Sequence, residues 1–375
     1  MIINFLIIIQ EYEMSGNLFS DLYEVKEHMF HKMTAEQEIN ALRKEVESCI
    51  IEDVAPGKLH YLMFKMTNRC NSDCEYCPHA ISRSQNEVKN DISKDIIIKT
   101  IHEAADLGVT AISVNGGEPL TRPDIYEIIQ TIIDDGIVPV LMTNGLLLPK
   151  MWDDLGAMGL KYVIISFDSL IKEVYEKQRG CSFERALDGI EAAVKMKEKY
   201  ENVEIHVSAV LTRDNQDDFI HLVEYMTARG IKIHISPFHN YLQLKEEISI
   251  SERGKIESLV ARLLKMKKEG YLIASSVGFI KHLTQFFCDG KNVPDDYLCK
   301  IGYTNLFIDA HMYVRPCWSE AIGPVGVLGE NTLQEIWNSE HMQSCRKKML
   351  RCECEGCWYM CTGEVTMLLD NILDE

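Results

Sequence analysis

The 375-residue sequence lacks any apolar stretch long enough to cross a bilayer. Its apolar opening, residues 1–9 (MIINFLIII), falls well short of the ~20 residues a transmembrane helix needs, and Glu11 and Glu13 follow directly. There is no secretory signal with a charged start, an apolar run and a small-residue cleavage site. No internal repeat or low-complexity tract is evident beyond a strand–helix period. Positive charge is also in deficit. A net charge of −18 argues against the basic surface that nucleic-acid binding needs, while a cationic peptide or amine substrate stays open. The expectation is a cytoplasmic protein with no membrane span and no nucleic-acid partner. A second methionine, Met14, precedes Ser15 and Gly16; residues 1–13 are expected to be either a misassigned start or a short strand.

What the chain has in excess is cysteine, thirteen in all, in a composition otherwise ordinary for a globular protein. The length exceeds that of a disulfide-stapled mini-domain, so clustered thiols read as metal or cluster ligands. Residues 17–53 show helical spacing (Leu18, Leu22, Val25, Met29) until Pro56 and Gly57 break it. From residue 61, short apolar runs (61–66, 110–114, 138–142, 162–167, 203–211, 231–236) alternate with helical patterns near 93–107, 124–135, 150–158, 183–199, 216–229 and 251–269. Six strand–helix units in series imply parallel strands with right-handed crossovers. The expected fold is α/β: a partial (β/α)6 TIM-like barrel with a helical N-terminal extension (1–58), a core (59–285) and a cysteine-rich α+β C-terminal module (286–375). An open doubly wound sheet is the alternative.

Cys70, Cys74 and Cys77 lie in the loop after the first run, at the end of the barrel that carries chemistry. Three thiolates suit zinc or an iron–sulfur cluster, and a missing fourth ligand leaves an open position. Zinc completed by His79 is the competing reading. Later runs end in Gly116-Gly117-Glu118-Pro119, Thr143-Asn144-Gly145 and Ser166-Phe167-Asp168-Ser169, with Arg179-Gly180 in the next loop. Glycines admit close backbone approach, a carboxylate can pair with an ammonium, and an arginine fork suits a carboxylate. His206 and His234 fall inside strand patterns, where packing is the simpler role.

This order of motifs, with aromatic Tyr76 before the third cysteine, resembles the radical S-adenosylmethionine (SAM) superfamily. The resemblance implies a [4Fe–4S] cluster on Cys70, Cys74 and Cys77 whose fourth iron binds the amino and carboxylate groups of SAM. One electron then splits SAM into methionine and a 5′-deoxyadenosyl radical that abstracts hydrogen from a substrate. It assigns Gly116, Gly117, Glu118 and Pro119 to the SAM amino group. Tyr76, Thr143, Asn144, Ser166, Asp168, Arg179, Ser208 and Asn215 join them as SAM-binding candidates. An electron donor such as flavodoxin or ferredoxin is implied.

Eight cysteines lie in residues 288–361. The phrase FIDAHMYVRPC reads as a short hairpin delivering Cys317, LQEIW reads as a helix, and the segment ends CECEGCWYMC. Their order resembles the SPASM/Twitch auxiliary-cluster modules. The spacing departs from the full module: its glycine before the second cysteine is Met312 here, and the terminal run is shortened. One auxiliary [4Fe–4S] cluster on Cys299, Cys317, Cys354 and Cys357 is favoured over two, with Cys345, Cys352 and Cys361 as possible additional ligands. Structural zinc is again the competing reading. Cys49, Cys181 and Cys288 read as ordinary thiols. Three functions follow: oxidation or rearrangement of a small molecule, ribosomal-peptide maturation, or a non-catalytic electron carrier or zinc protein. No catalytic acid or base can be named; Tyr303, His239 and Cys361 are candidates by chemistry alone.

Overall fold

The computed structural model describes residues 35–77, 91–239, 252–318, 321–354 and 356–370. The apolar opening, Met14, the helical spacing over Leu18, Leu22, Val25 and Met29, and His79 lie outside the described residues. Helix α1 (Ala35–Glu52) buries Ile39, Leu42, Val46 and Cys49, a single stripe at helical spacing.

The core repeats strand and helix six times. The order is β1 (Tyr61–Lys65), α2 (Lys94–Asp106), β2 (Ala111–Asn115), α3 (Ile125–Asp134), β3 (Val138–Thr143), α4 (Leu148–Ala157) and β4 (Tyr162–Ser166). Then come α5 (Lys172–Arg179), α6 (Phe183–Lys199), β5 (Glu204–Leu211), α7 (Phe219–Thr227), β6 (Lys232–Pro237), α8 (Arg253–Lys268) and α9 (Val277–Asp289). Neighbouring strands β1 to β6 pair in parallel and in sequence order. The partial barrel expected from the rhythm of apolar runs is therefore the fold. Helices α5 and α9 were missed; the polar sequence of α5, KEVYEKQR, carries no long apolar stripe.

The sheet does not stop at six. β7 (Asn305–Ile308) pairs in parallel with β1, and β8 (Tyr313–Arg315) and β9 (Gly326–Val327) follow antiparallel, giving nine strands in the order β6-β5-β4-β3-β2-β1-β7-β8-β9. The hairpin read from FIDAHMYVRPC is β7–β8. Its turn places Met312 at φ 70°, a left-handed conformation that glycine adopts freely and that costs another residue roughly 1–2 kcal/mol. The expected helix at LQEIW is α10 (Leu333–Trp337), opened by a capping box of Thr332 and Glu335. It is followed by α11 (Glu340–Leu350), a π-helical turn (Met360–Glu364) and α12 (Val365–Asp370).

Strand alternation sorts the core into two faces. Leu62, Phe64, Ile112, Val114, Val163 and Ile165 point outward, against helices such as α3 with its buried Ile125, Ile128, Ile129 and Ile132. Each such isoleucine contributes roughly 1.5–3 kcal/mol by burial. Tyr61, Met63, Ala111, Val140, Tyr162 and Ile164 point inward. There they meet Cys299, Cys317 and Cys361, together with apolar residues of α1 and α12. The cysteine-rich segment thus covers the concave side of the sheet. Trp337 Nε1 donates to Pro56 O at 2.9 Å and ties the segment to the chain before β1, while the buried Arg346 braces the segment internally through Gly302 O at 2.9 Å and Trp337 O at 2.8 Å.

Glu364, in the π-helical turn, is only 2% exposed and accepts the backbone N–H of Ser276 at 2.8 Å. Burial pushes its carboxyl from 4.5 up to about 7. The folded chain therefore holds this proton more tightly than the unfolded chain. Its stabilising effect is full below pH 4.5 and disappears as pH rises through 7. Between pH 5 and pH 8, wild type should lose roughly 2.5 kcal/mol relative to Glu364→Gln. Urea midpoints of both proteins at the two pH values test this; parallel pH profiles would show that Glu364 does not titrate in this window.

Candidate functional site

The site begins where two backbones nearly touch. Gly117 N donates to Thr67 O and Glu118 N to Arg69 O, both at 2.7 Å, just before Cys70. A Cβ on Gly116 would lie 2.4 Å from Thr67 O, and one on Gly117 would lie 2.2 Å from Arg69 O. Only glycine fits either position, so the GGE turn serves first to admit the chain that enters the cysteine loop.

Glu118 is fully buried and ties this turn to the end of β3. It accepts Leu120 N at 3.0 Å, the Thr143 hydroxyl at 2.8 Å and Asn144 N at 2.7 Å. Burial lifts its carboxyl to about 7 while the three donors pull it down. Asn144 carries the tie into the cysteine loop. Its Nδ2 donates to Asn71 Oδ1 at 2.6 Å and Ser72 Oγ at 3.0 Å, and lies 4.0 Å from Cys70 Sγ.

The other flank of the loop rests on α5. Arg179, read from sequence as a loop residue, closes that helix, and Gly180 caps it at φ 58°. Asp73 N donates to Arg179 O at 3.2 Å and Glu75 N to Gln178 O at 3.0 Å. The Arg179 side chain forms a two-bond fork to Asp168, Nε to Oδ2 and Nη2 to Oδ1, both 2.6 Å. The Tyr76 hydroxyl donates to the same Oδ2, and Val210 N donates to Oδ1 at 2.8 Å. Burial, countered by Arg179, pushes the Cys74 thiol up to about 12.

Asn215 is likewise turned inward: it donates to Asp168 O and Val210 O, both at 2.8 Å, and accepts Thr212 N at 2.8 Å. Ser166 and Ser208 are register partners on β4 and β5, both half-buried. Pro119 opens a short 3-10 turn behind Glu118. All twelve SAM-binding candidates thus gather around the C-terminal ends of β2 to β5 and the cysteine loop. His206 and His234 pair with each other at 2.8 Å, buried and held neutral by burial. Tyr303 lies against the Arg346 guanidinium, and His239 is enclosed by Phe286 and Tyr359.

A second group of thiols forms on the concave side. Burial pushes Cys299 well up, helped by Cys357, Cys317 and Cys352. Cys357 rises to about 12, chiefly by burial, with Cys361 and Cys354 as charged neighbours. Cys352, left open by the sequence, thus belongs to the group. Cys345 stands apart on α11, in the outer hydrophobic cluster, with Lys348 and Arg346 for neighbours. Cys49, Cys181 and Cys288 join neither group. Among the described residues no group of three or more Cys, His, Asp or Glu is arranged as a single-ion site. Two all-thiol groups, each within mutual electrostatic reach, fit the soft donor set of iron–sulfur clusters.

A parallel half-barrel with a three-thiolate loop over one end and a second thiol group on its concave side defines an iron–sulfur enzyme. Comparison with known proteins is specific. Residues 64–235 match the radical SAM superfamily, and residues 299–358 match SPASM, an iron–sulfur cluster-binding domain. A GTP 3′,8-cyclase of Lactiplantibacillus plantarum is 30% identical over 295 residues, 73% of this chain and 84% of that protein. A probable GTP 3′,8-cyclase of Methanosarcina mazei is 27% identical over 317 residues, 82% and 91% of the two chains. Among solved structures, Streptococcus suis SuiB bound to its precursor peptide SuiA has a TM-score of 0.63 at 17% identity, covering 89% of this chain and 77% of SuiB. AdoMet-bound anSMEcpe has a TM-score of 0.61 at 18% identity, covering 81% and 84%. The chain belongs to the radical SAM superfamily and carries a C-terminal SPASM domain. Its cofactors are [4Fe–4S] clusters and SAM.

The two GGE glycines give a direct test. Gly117→Ala must push residues 67–69 away, because the added methyl meets a backbone carbonyl rather than a flexible side chain. The variant should keep the iron of the auxiliary site and lose most of the iron bound by Cys70, Cys74 and Cys77. Iron analysis and the variant's SAM affinity measure this, and full iron with unchanged affinity would show that the approach is not needed.

Proposed function

We propose that this enzyme holds SAM across the ends of β1 to β5 and uses it to oxidise or rearrange a neutral or cationic substrate, a small molecule or a peptide. The observation that carries the reading is the cysteine loop, fastened on one flank to Gly117, Glu118 and Asn144 and on the other to Gln178 and Arg179. When bound, the cluster and SAM supply one-electron cleavage and hydrogen-atom abstraction.

The chain's own residues do the rest. Cys70, Cys74 and Cys77 would hold the cluster through three thiolates. Gly116 and Gly117 bring backbone against the SAM amino group, and Ser166 and Ser208 present hydroxyls to its polar end. Arg179 offers the guanidinium for the SAM carboxylate. Asp168 and Asn215, whose polar atoms are already used within the protein, orient these groups from behind. Cys299, Cys317 and Cys357, with Cys352 or Cys354, would hold a single auxiliary cluster, which would supply a one-electron acceptor when the product is oxidised. Flavodoxin or ferredoxin supplies the first.

A second reading is favoured by the relatives named GTP 3′,8-cyclase. A nucleoside triphosphate carries about four negative charges and needs a basic site. This chain has a net charge of −18, and the strand ends on the concave side offer Asn115, Ser166 and Ser208 together with Lys65, which is buried against the Trp318 ring. The first reading is therefore preferred.

An anaerobic assay of reconstituted protein with dithionite and SAM, read by mass spectrometry, tests both. Wild type should release 5′-deoxyadenosine and the Cys70/Cys74/Cys77→Ala variant none. Wild type should bind about eight irons and the triple variant about four. Faster formation on adding GTP, with consumption of GTP, would establish the second reading. No cleavage by fully loaded protein, with no SAM binding, would make a non-catalytic cluster carrier the better account.

A further inference from the structure

The contact between α5 and the cysteine loop is electrical as well as mechanical. Arg179 is 7% exposed, and its only carboxylate partner among the described residues is Asp168, which is fully buried. The guanidinium carbon sits 5.4 Å from the ring centre of Tyr76, the residue before Cys77. Arg179 and Asp168 act on the Cys74 thiol with opposite signs, the guanidinium favouring its charged form and the carboxylate opposing it. A buried plus–minus pair therefore stands beside the cysteine loop, where charge is poorly screened. Its position is set by four independent holds: the fork, the Tyr76 hydroxyl, Val210 N and the two backbone bonds from residues 73 and 75.

The structure assigns to this pair a positioning role that we infer goes beyond holding SAM: Asp168 and Arg179 together set the reduction potential of the cluster bound by Cys70, Cys74 and Cys77. Taking up an electron adds one negative charge to the cluster. Arg179 favours that charge and Asp168 opposes it, so the balance of the pair tunes the potential. Asn144, with its amide near Cys70 Sγ, adds a second polar influence on the opposite flank. The inference rests on the reading of these three cysteines as the cluster ligands.

The signs separate tuning from simple support. In the reconstituted full-length enzyme without substrate, a redox titration is followed by electron paramagnetic resonance, monitoring the signal that SAM perturbs. Asp168→Asn leaves the cation unopposed and should raise the potential. Arg179→Met leaves the carboxylate and should lower it. Each shift should reach at least a tenfold change in the reduced-to-oxidised ratio at fixed potential, about 59 mV for one electron. The double variant Asp168→Asn/Arg179→Met should return near wild type, and Arg179→Lys, which keeps the charge, should stay close to it. The signal that SAM does not perturb, from the auxiliary cluster, should be unmoved throughout. Shifts of the same sign in both single variants, equal shifts in both signals, or no shift with full iron content would overturn the assignment. Loss of iron from every single variant would also overturn it, since it would reduce the pair to structural support. A wild-type enzyme with no SAM-sensitive signal would overturn the underlying reading as well.

Discussion

The arrangement of this site depends on one steric fact: the backbone leaving β1 passes so close to the backbone leaving β2 that no side chain can stand between them. Gly116 and Gly117 allow Thr67 and Arg69 to offer their carbonyls at 2.7 Å, and the loop that follows begins at Cys70. From that approach the remaining contacts propagate. Glu118 is drawn inward, fully buried, and finds Leu120, Thr143 and Asn144 as donors. Asn144 is thereby fixed at the angle from which its amide reaches Asn71 and Ser72. A buried carboxylate without such partners would cost several kcal/mol, so the three bonds are a condition of the fold as much as of the site.

The second constraint is the continuity of the sheet. Because β7 pairs with β1 in parallel, the cysteine-rich segment extends the barrel's own hydrogen-bond ladder and leaves by β8 at the end where β1 begins. Cys361 lies near Tyr61, the first residue of β1, while Cys70 follows its last residues. Five residues of strand span roughly 16 Å. The two thiol groups are thus held apart by the strand that both adjoin, a spacing that secondary structure sets more rigidly than a loop could. The inner face between them is lined by the alternate residues of each strand, apolar at the base (Tyr61, Val140, Tyr162) and hydroxyl-bearing toward the end that carries the site (Ser166, Ser208).

Much of this was legible before the structure. Parallel strands announced themselves as separate apolar runs with amphipathic segments between them, since strands buried on both faces cannot alternate in polarity. The cysteine spacing and the order of polar strand ends marked the site because thiolates, glycine pairs and buried carboxylates are rarely placed together for packing alone. Three things were hidden. Helix α5 was invisible because its sequence is almost wholly polar and its stability comes from Tyr175 and the buried Arg179. The joining of β7 to β1 was invisible because pairing partners 244 residues apart leave no periodicity, as with Tyr61 and Asn305. The membership of Cys352 rather than Cys345 in the second thiol group turns on which face of the sheet each reaches, and spacing along the chain does not encode that.

The least economical feature of the molecule is the ion pair of Asp168 and Arg179. Burying two opposite charges often gains nothing over two well-packed apolar side chains, and replacing such pairs can stabilise a protein by about 1–4 kcal/mol. Stability alone therefore gives little reason for this pair. Its geometry shows what it provides instead. Every oxygen of Asp168 is committed: two to the guanidinium, one of these also to Tyr76, the other also to Val210, and the backbone oxygen to Asn215. Those partners come from the cysteine loop, α5, β5 and the turn after β5, four pieces of chain that share no other common contact of this kind among the described residues. An apolar pair would fill the same volume but would leave their relative angles to packing, which tolerates shifts that a forked hydrogen bond does not. A site that must hold thiolates and a charged cofactor in register needs that fixed geometry, and the buried pair is where the fold supplies it.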